Sequence, residues 1–258
     1  MTHDVDHLII VPCHGVYKLG ELPHRQQSWH MADFQLEGND HLCFLEHLDI
    51  ALKELEKNFH AYLIISGGET KKEAGPISEA FSYYAIIEKQ VREEIGFDRV
   101  TTENYARDSF ENVIFLICRF YEVFKRYPEY ITIIGFEFKR ERFLNLHLSQ
   151  ALRFPRDRVY YIGNSPNPNH LTKEEKDKYF EDLRSSEYRN AVQEFRKDWY
   201  GVQDVLMSKK EKRNPYSRLH GYTLSNGPIR EFLCQISGRA RPESNEVVHK
   251  ALDDAPWT

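Results

Sequence analysis

Five short apolar runs, each followed by residues with helical spacing, constrain the fold of this chain more than any other feature of its sequence. The runs are HLIIVPC (7–13), AYLIIS (61–66), DRVTT (98–102), YITIIGF (130–136) and RVYYIG (158–163). Short runs rich in β-branched residues are typical of strands that are buried on both faces of a parallel sheet. The sequence therefore predicts an α/β, Rossmann-like, doubly wound fold with a mostly parallel five-stranded sheet and helices on both faces.

The segments between the runs have apolar residues spaced by three or four, which places them on one stripe of a helix. Such helices are predicted to begin near Asn39, Pro76 and Asp108, and a further one spans about 140–152. Residues 14–38 have no regular period, so we expect an ordered loop there.

The composition changes after residue 166, where Thr172 and Glu175 form a capping-box pair at the start of charged amphipathic helices. KKEKRNP (209–215) and the Gly/Pro-rich residues 214–228 are predicted to be loop, and IREFLCQI (229–236) a short helix. We expect a Rossmann-like domain over 1–166, a helical extension packed on it over 167–237, and a flexible tail over 238–258.

Composition and charge narrow the class of protein. The 258 residues are 41% hydrophobic, and the net charge of −5 comes from closely interspersed acids and bases, which gives no global field for nucleic acid. No apolar run approaches the roughly 18 residues of a membrane span, and the first residues lack the basic region of a signal peptide. We expect a cytoplasmic protein without a nucleic-acid or membrane partner, and its oligomeric state stays open. The four cysteines have no CxxC spacing, so no metal site is predicted.

Polar residues cluster where the predicted strands end. In an open parallel sheet, ligands bind outside the carboxyl ends of the strands, where loops and helix N-termini converge. The candidate ligand-binding residues at these ends are Ser66, Gly67, Gly68, Thr70, Arg107, Ser109, Asn112, Arg140 and Arg142. We expect them to line one cleft for a small anionic molecule.

The loop SGGET (66–70) is one predicted wall of this cleft. Gly67 and Gly68 would let backbone amides approach an anion, and Ser66 and Thr70 would add hydroxyl donors. The alternative is an ordinary tight turn, since the GxxxxGK[ST] pattern of a phosphate-binding loop is absent.

Cations at predicted helix N-termini also point to an anion, because a positive charge there opposes the helix dipole. Arg107 needs an anionic partner, either Glu103 or a bound phosphate or carboxylate. Lys139, Arg140 and Arg142 begin the next predicted helix, where the alternative is a solvated charged turn.

The candidate catalytic residues are Glu79, Glu103, His14 and Asp108. Glu79 is favourable early in a helix for dipole reasons alone, or it is a general base whose pKa is raised by apolar neighbours. His14 ends the first strand and has an ordinary pKa near neutrality. Asp108 and Glu111 have the spacing of an acidic capping box, which by itself would explain both.

Several blocks of the sequence resemble one known family. They are HLIIVPCHG, LIISGGETKKEAGPISEAFSYY, TTENYARDSFENVIFLICRFYEVFKRYP, ITIIGFEFKRERFLNLHLSQALRFP and YYIGNSP. In order and spacing they resemble the DUF218 superfamily, in particular its eukaryotic, fungal and plant-type branch, over residues 5–235. The resemblance implies a Rossmann-like fold and a nucleotide-like or S-adenosylmethionine-like ligand. The superfamily is named after a domain of unknown function, and we expect this chain to lack the membrane tether of some bacterial members.

Two hypotheses follow from these residues. In the first, the protein is a hydrolase or transferase that holds an anionic substrate through the glycine-loop amides, Arg107 and Arg140, while Glu79, Glu103 or His14 transfers protons. In the second, the same cleft only binds a metabolite, and the protein is a sensor or scaffold. Carboxylates that are wholly engaged in ion pairs would favour the second hypothesis.

Overall fold

A computed structural model describes residues 4–237 and 241–258 of the chain. The strands of the main sheet are β1 His7–Pro12, β4 Ala61–Ser66, β5 Val100–Glu103, β6 Tyr130–Phe136 and β7 Val159–Asn164, and β2 Val16–Tyr17 and β3 Trp29–His30 form a small hairpin. The main sheet is parallel throughout, with the strand order β5-β4-β1-β6-β7. The predicted α/β, Rossmann-like fold is therefore confirmed. The direction of strand order reverses between β1 and β6, and this switch point is where ligands bind in such sheets.

Helices cover both faces of the sheet. They are α1 Asp40–Lys57, α2 Glu79–Gln90, α3 Ser109–Phe124, α4 Lys173–Glu187, α5 Gln193–Lys197, α6 Asp204–Lys212, α7 Tyr222–Ser225, α8 Arg230–Ser237 and α9 Asn245–Lys250, with π-helical segments at Val91–Ile95, Arg142–Ala151 and Tyr188–Val192. None of the helices in the described ranges is long and apolar enough to cross a membrane.

Alternation along β1 explains the two halves of the core. Leu8 and Ile10 face the side of the sheet covered by α3 and the π-helix Arg142–Ala151, whereas Ile9 and Val11 face the side covered by α1 and α2. These four side chains are at most 1% exposed. Because successive side chains of a strand point to opposite faces, a central strand that is covered on both faces is apolar throughout.

Some element boundaries differ from the predictions. The second helix begins at Glu79, because the Ser78 side chain caps it by accepting the Phe81 N–H, and not near Pro76. Between 140 and 152 the chain forms a π-helix, Arg142–Ala151, that follows a 3-10 turn. The expected loop 14–38 contains the β2–β3 hairpin, and α6 extends through Lys212 into the segment predicted to be loop.

The C-terminal residues pack into the core. Val192, Phe195 and Phe232 of the extension belong to the same apolar cluster as Phe110 of α3. The prediction of a flexible tail is wrong for residues 241–258, while residues 238–240 lie outside the described ranges. The segment is anchored by three buried side chains, Val248, Leu252 and Trp257, which are at most 3% exposed. Val248, Leu252 and Ala255 have helical spacing, but this apolar pattern is short and lies among polar residues, so the segment was not predicted to pack.

Candidate functional site

Two basic side chains, His14 and Lys139, meet at the switch point between the carboxyl ends of β1 and β6. A ligand crevice lies at this position in sheets of this kind, and we refer to the region as the crevice. His14 follows β1 and Lys139 follows β6, and the Lys139 ammonium nitrogen is 3.4 Å from His14 Nδ1. Both groups lie against Phe136: the His14 ring stacks on it at 5.2 Å, and the Lys139 nitrogen is 5.0 Å from its centroid. The strand order brings these residues together across more than a hundred positions of sequence.

The electrostatics of this pair suit anion binding. Burial lowers the pKa of His14 well below its ordinary value, helped by the charge of Lys139, so the imidazole is neutral and accepts a hydrogen bond from the ammonium group. Burial and the charge of Arg142 lower the pKa of Lys139 to about 8, so the ammonium form still dominates at neutral pH. Within the described residues, Lys139 forms no ion pair with a carboxylate.

Glu79, the first residue of α2, is a buried acid on which the charge of Lys139 acts. It is 7% exposed, and one carboxylate oxygen accepts a hydrogen bond from the Thr70 hydroxyl. No arginine or lysine in the described parts of the chain forms an ion pair with it. Burial raises the pKa of Glu79, whereas the Thr70 hydrogen bond and the nearby charges of Lys71, Arg213 and Lys139 act in the opposite direction.

Asp40 is a second buried acid near Lys139, and it was not among the residues predicted from the sequence. It is the first residue of α1, is 5% exposed, and its Oδ1 has no hydrogen-bond partner in the described structure. Burial raises its pKa to about 7, against the positive charge of Lys139. Acids are common at helix N-termini, because the helix dipole stabilises a negative charge there. The sequence therefore did not distinguish Asp40 as a functional residue. Lys71 and Arg213 were also not predicted, because each lies in a charged run of sequence that does not indicate its position in the fold.

The glycine loop does not have the free amides that were expected. The Gly67 N–H donates to Glu103 O at 3.1 Å, and the Gly68 N–H donates to Ala106 O at 2.8 Å. A Cβ on Gly68 would lie 2.9 Å from the same Ala106 oxygen, and a Cβ on Gly67 would lie 2.8 Å from Glu79. The prediction that these two amides cradle an anion is therefore wrong. Glycine is needed here because neighbouring chain segments approach closely.

Glu103 is fully occupied by hydrogen bonds. Its carboxylate accepts from the hydroxyl groups of Ser66 at 2.8 Å and Tyr222 at 3.2 Å, and from two backbone N–H groups that follow it at 2.8 and 3.2 Å. Burial raises the pKa of Glu103 to about 7, although all of these hydrogen bonds act to lower it. The Ser66 hydroxyl also lies 2.8 Å from Asn112 Oδ1. Glu103, Ser66 and Asn112 join β4, β5 and α3 and do not form part of the crevice surface.

Asp108 and Glu111 form half of the predicted capping box. Asp108 accepts the Glu111 N–H at 2.8 Å, as expected for an N-cap. The Glu111 carboxylate, however, accepts from the backbone and side chain of Arg107, the residue before the cap. Arg107 is therefore paired with Glu111, not with Glu103 or with an anionic ligand.

The buried Lys210 completes this ionic cluster. Its ammonium nitrogen is 3.4 Å from Asp108 Oδ2 and 3.3 Å from Glu111 Oε1, and it donates to Tyr200 O at 3.0 Å. Burial acts to raise the pKa of both acids; for Glu111 the charges of Lys210 and Arg107 outweigh it and lower the pKa to about 2, whereas the pKa of Asp108 stays raised. We conclude that Asp108 is a structural residue that links α3 to α6.

The remaining predicted arginines also have partners. Arg140 pairs with Glu137 at 2.6 Å, and both side chains are more than 40% exposed. Arg142 lies 3.1 Å from Glu187 at the end of α4, and both are largely buried. The charge of Arg142 lowers the pKa of both His14 and Lys139, which indicates that Arg142 lies beside the crevice.

Ser109 faces His147 of the π-helix, with Oγ 2.8 Å from Nε2. The other ring nitrogen of His147 is buried and has no hydrogen-bond partner. Burial lowers the pKa of His147 well below its ordinary value, so the ring is neutral. A proton on Nδ1 would be an unsatisfied buried donor, which is costly. We infer that Nε2 carries the proton and donates to Ser109, so His147 does not activate this hydroxyl as a base.

Comparison with known proteins identifies one relative. The chain is 39% identical over 280 residues to "Uncharacterized protein YOR238W" of Saccharomyces cerevisiae, and the alignment covers 90% of this chain and 89% of the yeast protein. The chain belongs to the family of this yeast protein. No family model matches the chain, so the resemblance to the DUF218 superfamily stays a prediction. No solved structure matches it either.

In this member of the YOR238W family, the crevice brings together only part of the predicted site. His14, Thr70 and Glu79 lie around it, with Arg142 at its side. Other predicted residues are engaged elsewhere by the contacts described above: Ser66, Gly67, Gly68, Glu103, Arg107, Asp108, Asn112 and Arg140. No cluster of three or more His, Cys, Asp or Glu side chains in the described ranges has a geometry that could hold a metal ion.

Proposed function

We propose that the protein is an enzyme, a hydrolase or transferase, that acts on a small phosphorylated molecule bound in the crevice between β1 and β6. The observation that carries the proposal is that Lys139 and Glu79, an ammonium group and a buried carboxylate, lie at one crevice without ion-pair partners in the described structure. Groups of this kind, with pKa values shifted by burial in a cleft, are typical of active sites.

The charges favour a phosphate as the anion. The charges of Lys71, Lys139 and Arg213 all act to lower the pKa of Glu79, and within the described ranges none of the three forms an ion pair with a carboxylate. The acids that oppose them are Glu79 itself, Glu187, which is paired with Arg142, and Asp40, whose pKa of about 7 leaves it partly protonated. A phosphate monoester, which carries close to two negative charges at neutral pH, offsets this excess better than a single carboxylate.

Each side chain has a distinct role in this proposal. Lys139 donates to the phosphate and is held by His14, which is neutral and accepts one of its hydrogen bonds. Glu79 transfers the proton, because it is a buried carboxylate that forms no ion pair in the described structure and whose pKa is raised by burial. Arg213 and Lys71 add positive charge at the mouth of the crevice.

The test separates binding from turnover. Inorganic phosphate and a panel of phosphate monoesters are screened by thermal shift, and each stabilising compound is then assayed for chemical conversion. We expect Lys139→Ala to weaken binding about tenfold to a hundredfold, as for loss of a charge-assisted hydrogen bond. Glu79→Gln should retain binding and lose about a hundredfold or more in kcat.

Arg140→Ala is the matched control, because Arg140 is next to Lys139 in sequence but pairs with Glu137 at the surface. It should bind and turn over like the wild type. Wild-type turnover by Glu79→Gln, or unchanged phosphate binding by Lys139→Ala, would contradict the proposal.

A non-catalytic metabolite sensor is the second candidate. It is favoured by the full engagement of Glu103, Asp108 and Glu111 in hydrogen bonds and ion pairs, which leaves few acids to transfer protons. Binding that depends on Lys139, without conversion of any stabilising compound, would support this candidate.

A further inference from the structure

A cavity of about 700 Å³ lies between α4 and the carboxyl ends of β6 and β7. Aromatic and aliphatic side chains form much of its wall: Phe138, Pro166, Phe180, Leu183, Tyr188 and Val192. The volume is within the range of pockets that enclose small organic ligands, roughly 300–1,000 Å³. Polar groups from the adjoining helix and loops, among them Ser165 and Ser185, complete the lining.

The cavity shares a wall with the crevice. Phe138 lines the cavity, and its ring centroid is 5.4 Å from the Lys139 ammonium nitrogen. Glu187 also lines the cavity, and it lies 3.1 Å from Arg142. A molecule whose anionic group is at Lys139 therefore has an apolar compartment directly beside it.

We propose that this cavity binds an aromatic body of the ligand, so that the substrate class is an aromatic phosphate monoester with its phosphate at Lys139. This inference rests on the proposed function. The carboxylates of Glu137, Glu141 and Glu187 in the lining are already paired with arginines. An aromatic ring in the cavity gains contact with Phe138 and Tyr188. Arg184 and Arg189, which are exposed cavity residues, present guanidinium planes on which aromatic rings stack.

Methyl phosphate and phenyl phosphate are the probes, because they carry the same anionic group and differ mainly in apolar area. We expect calorimetry to find phenyl phosphate bound about tenfold to a hundredfold more tightly by the wild-type protein, as burial of several additional carbon atoms predicts. Lys139→Ala should weaken the binding of both probes.

Two neighbouring serines of α4 provide a matched pair of variants. Ser185 lines the cavity, and Ser186 is not among the lining residues. Ser185→Trp should fill the compartment and remove the preference for phenyl phosphate while leaving methyl phosphate affinity unchanged. Ser186→Trp should keep the preference. Tyr188→Ala removes one aromatic side chain from the wall and should reduce the preference severalfold. This variant replaces Ser185→Trp in the test if Ser185→Trp does not fold.

The outcomes distinguish the two proposals. Equal wild-type affinity for the two probes, or a preference that survives in both Ser185→Trp and Tyr188→Ala, overturns the inference about the cavity and leaves the phosphate site in place. Failure of the wild-type protein to bind either probe overturns both proposals.

Discussion

At the scale of single residues, the same chemical group has different roles according to its partners. Glu79 and Glu103 are both buried carboxylates at the carboxyl edge of the sheet. Glu103 accepts four hydrogen bonds, whereas a single hydroxyl donates to Glu79. A carboxylate whose acceptor positions are filled joins structural elements together. One with few partners stays available to a ligand, so the two residues cannot be told apart by type or burial.

The raised pKa of Asp40 can be tested by the pH dependence of stability. Burial raises its pKa from 3.8 to about 7, so the folded state holds a proton that the unfolded state has lost between these values. The contribution of Asp40 to the free energy of unfolding should therefore fall as pH rises from about 4 to 7. Asp40→Asn removes this contribution, so its urea-unfolding stability relative to the wild type should improve over that window. A stability difference that is constant with pH would contradict the raised pKa.

At the scale of elements, α6 depends on a contact that its own sequence does not reveal. Residues 209–212 read KKEK, a charged run that was predicted to be loop. Lys210 is nevertheless 1% exposed and lies between Asp108 and Glu111 of the first turn of α3. The helix is placed by this buried ionic cluster, because Lys210 compensates two acids that are removed from water.

Lys210→Met tests this account of α6. Removal of the ammonium group leaves buried negative charge uncompensated, and we expect a loss of about 3–5 kcal/mol in the free energy of unfolding. Lys212→Met, a change at an exposed position of the same helix, should shift it by less than about 0.5 kcal/mol. Chemical denaturation of both variants measures the difference, and equal effects would argue against the buried cluster.

At the scale of the whole molecule, the C-terminal segment closes the core on one face of the sheet. Trp257 is 3% exposed, its indole N–H donates to Leu152 O at 2.7 Å, and its ring packs against Tyr127 at 5.3 Å. Leu252 belongs to the same cluster. The sheet, the extension and residues 241–258 therefore share one continuous apolar core on this face.

Trp257→Ala should destabilise the whole protein. A buried Trp-to-Ala change costs about 3–5 kcal/mol, and because the core is shared we expect one cooperative transition with a lower midpoint. Thr258→Ala is the control at the next position, which is exposed. A wild-type melting temperature for Trp257→Ala would mean that the segment does not pack on the core in solution.

Local sequence patterns were sufficient to predict those parts of the molecule that depend on neighbouring residues. The strands Ala61–Ser66 and Tyr130–Phe136 were predicted with their observed limits, because a strand buried on both faces needs an unbroken apolar run. The caps at Asp108 and Thr172 were also predicted, because capping involves residues only three positions apart.

The pairing of charges and the position of the crevice depend on long-range packing, which the sequence does not show. Strand order places His14 beside Lys139, and the extension brings Lys210 to Asp108 and Arg213 near Glu79. These contacts join residues about a hundred or more positions apart, and the type of a charged residue does not indicate which distant partner will neutralise it. The strand ends were sufficient to predict which edge of the sheet carries the candidate site. Which groups along that edge stay unpaired depends on how the whole chain packs.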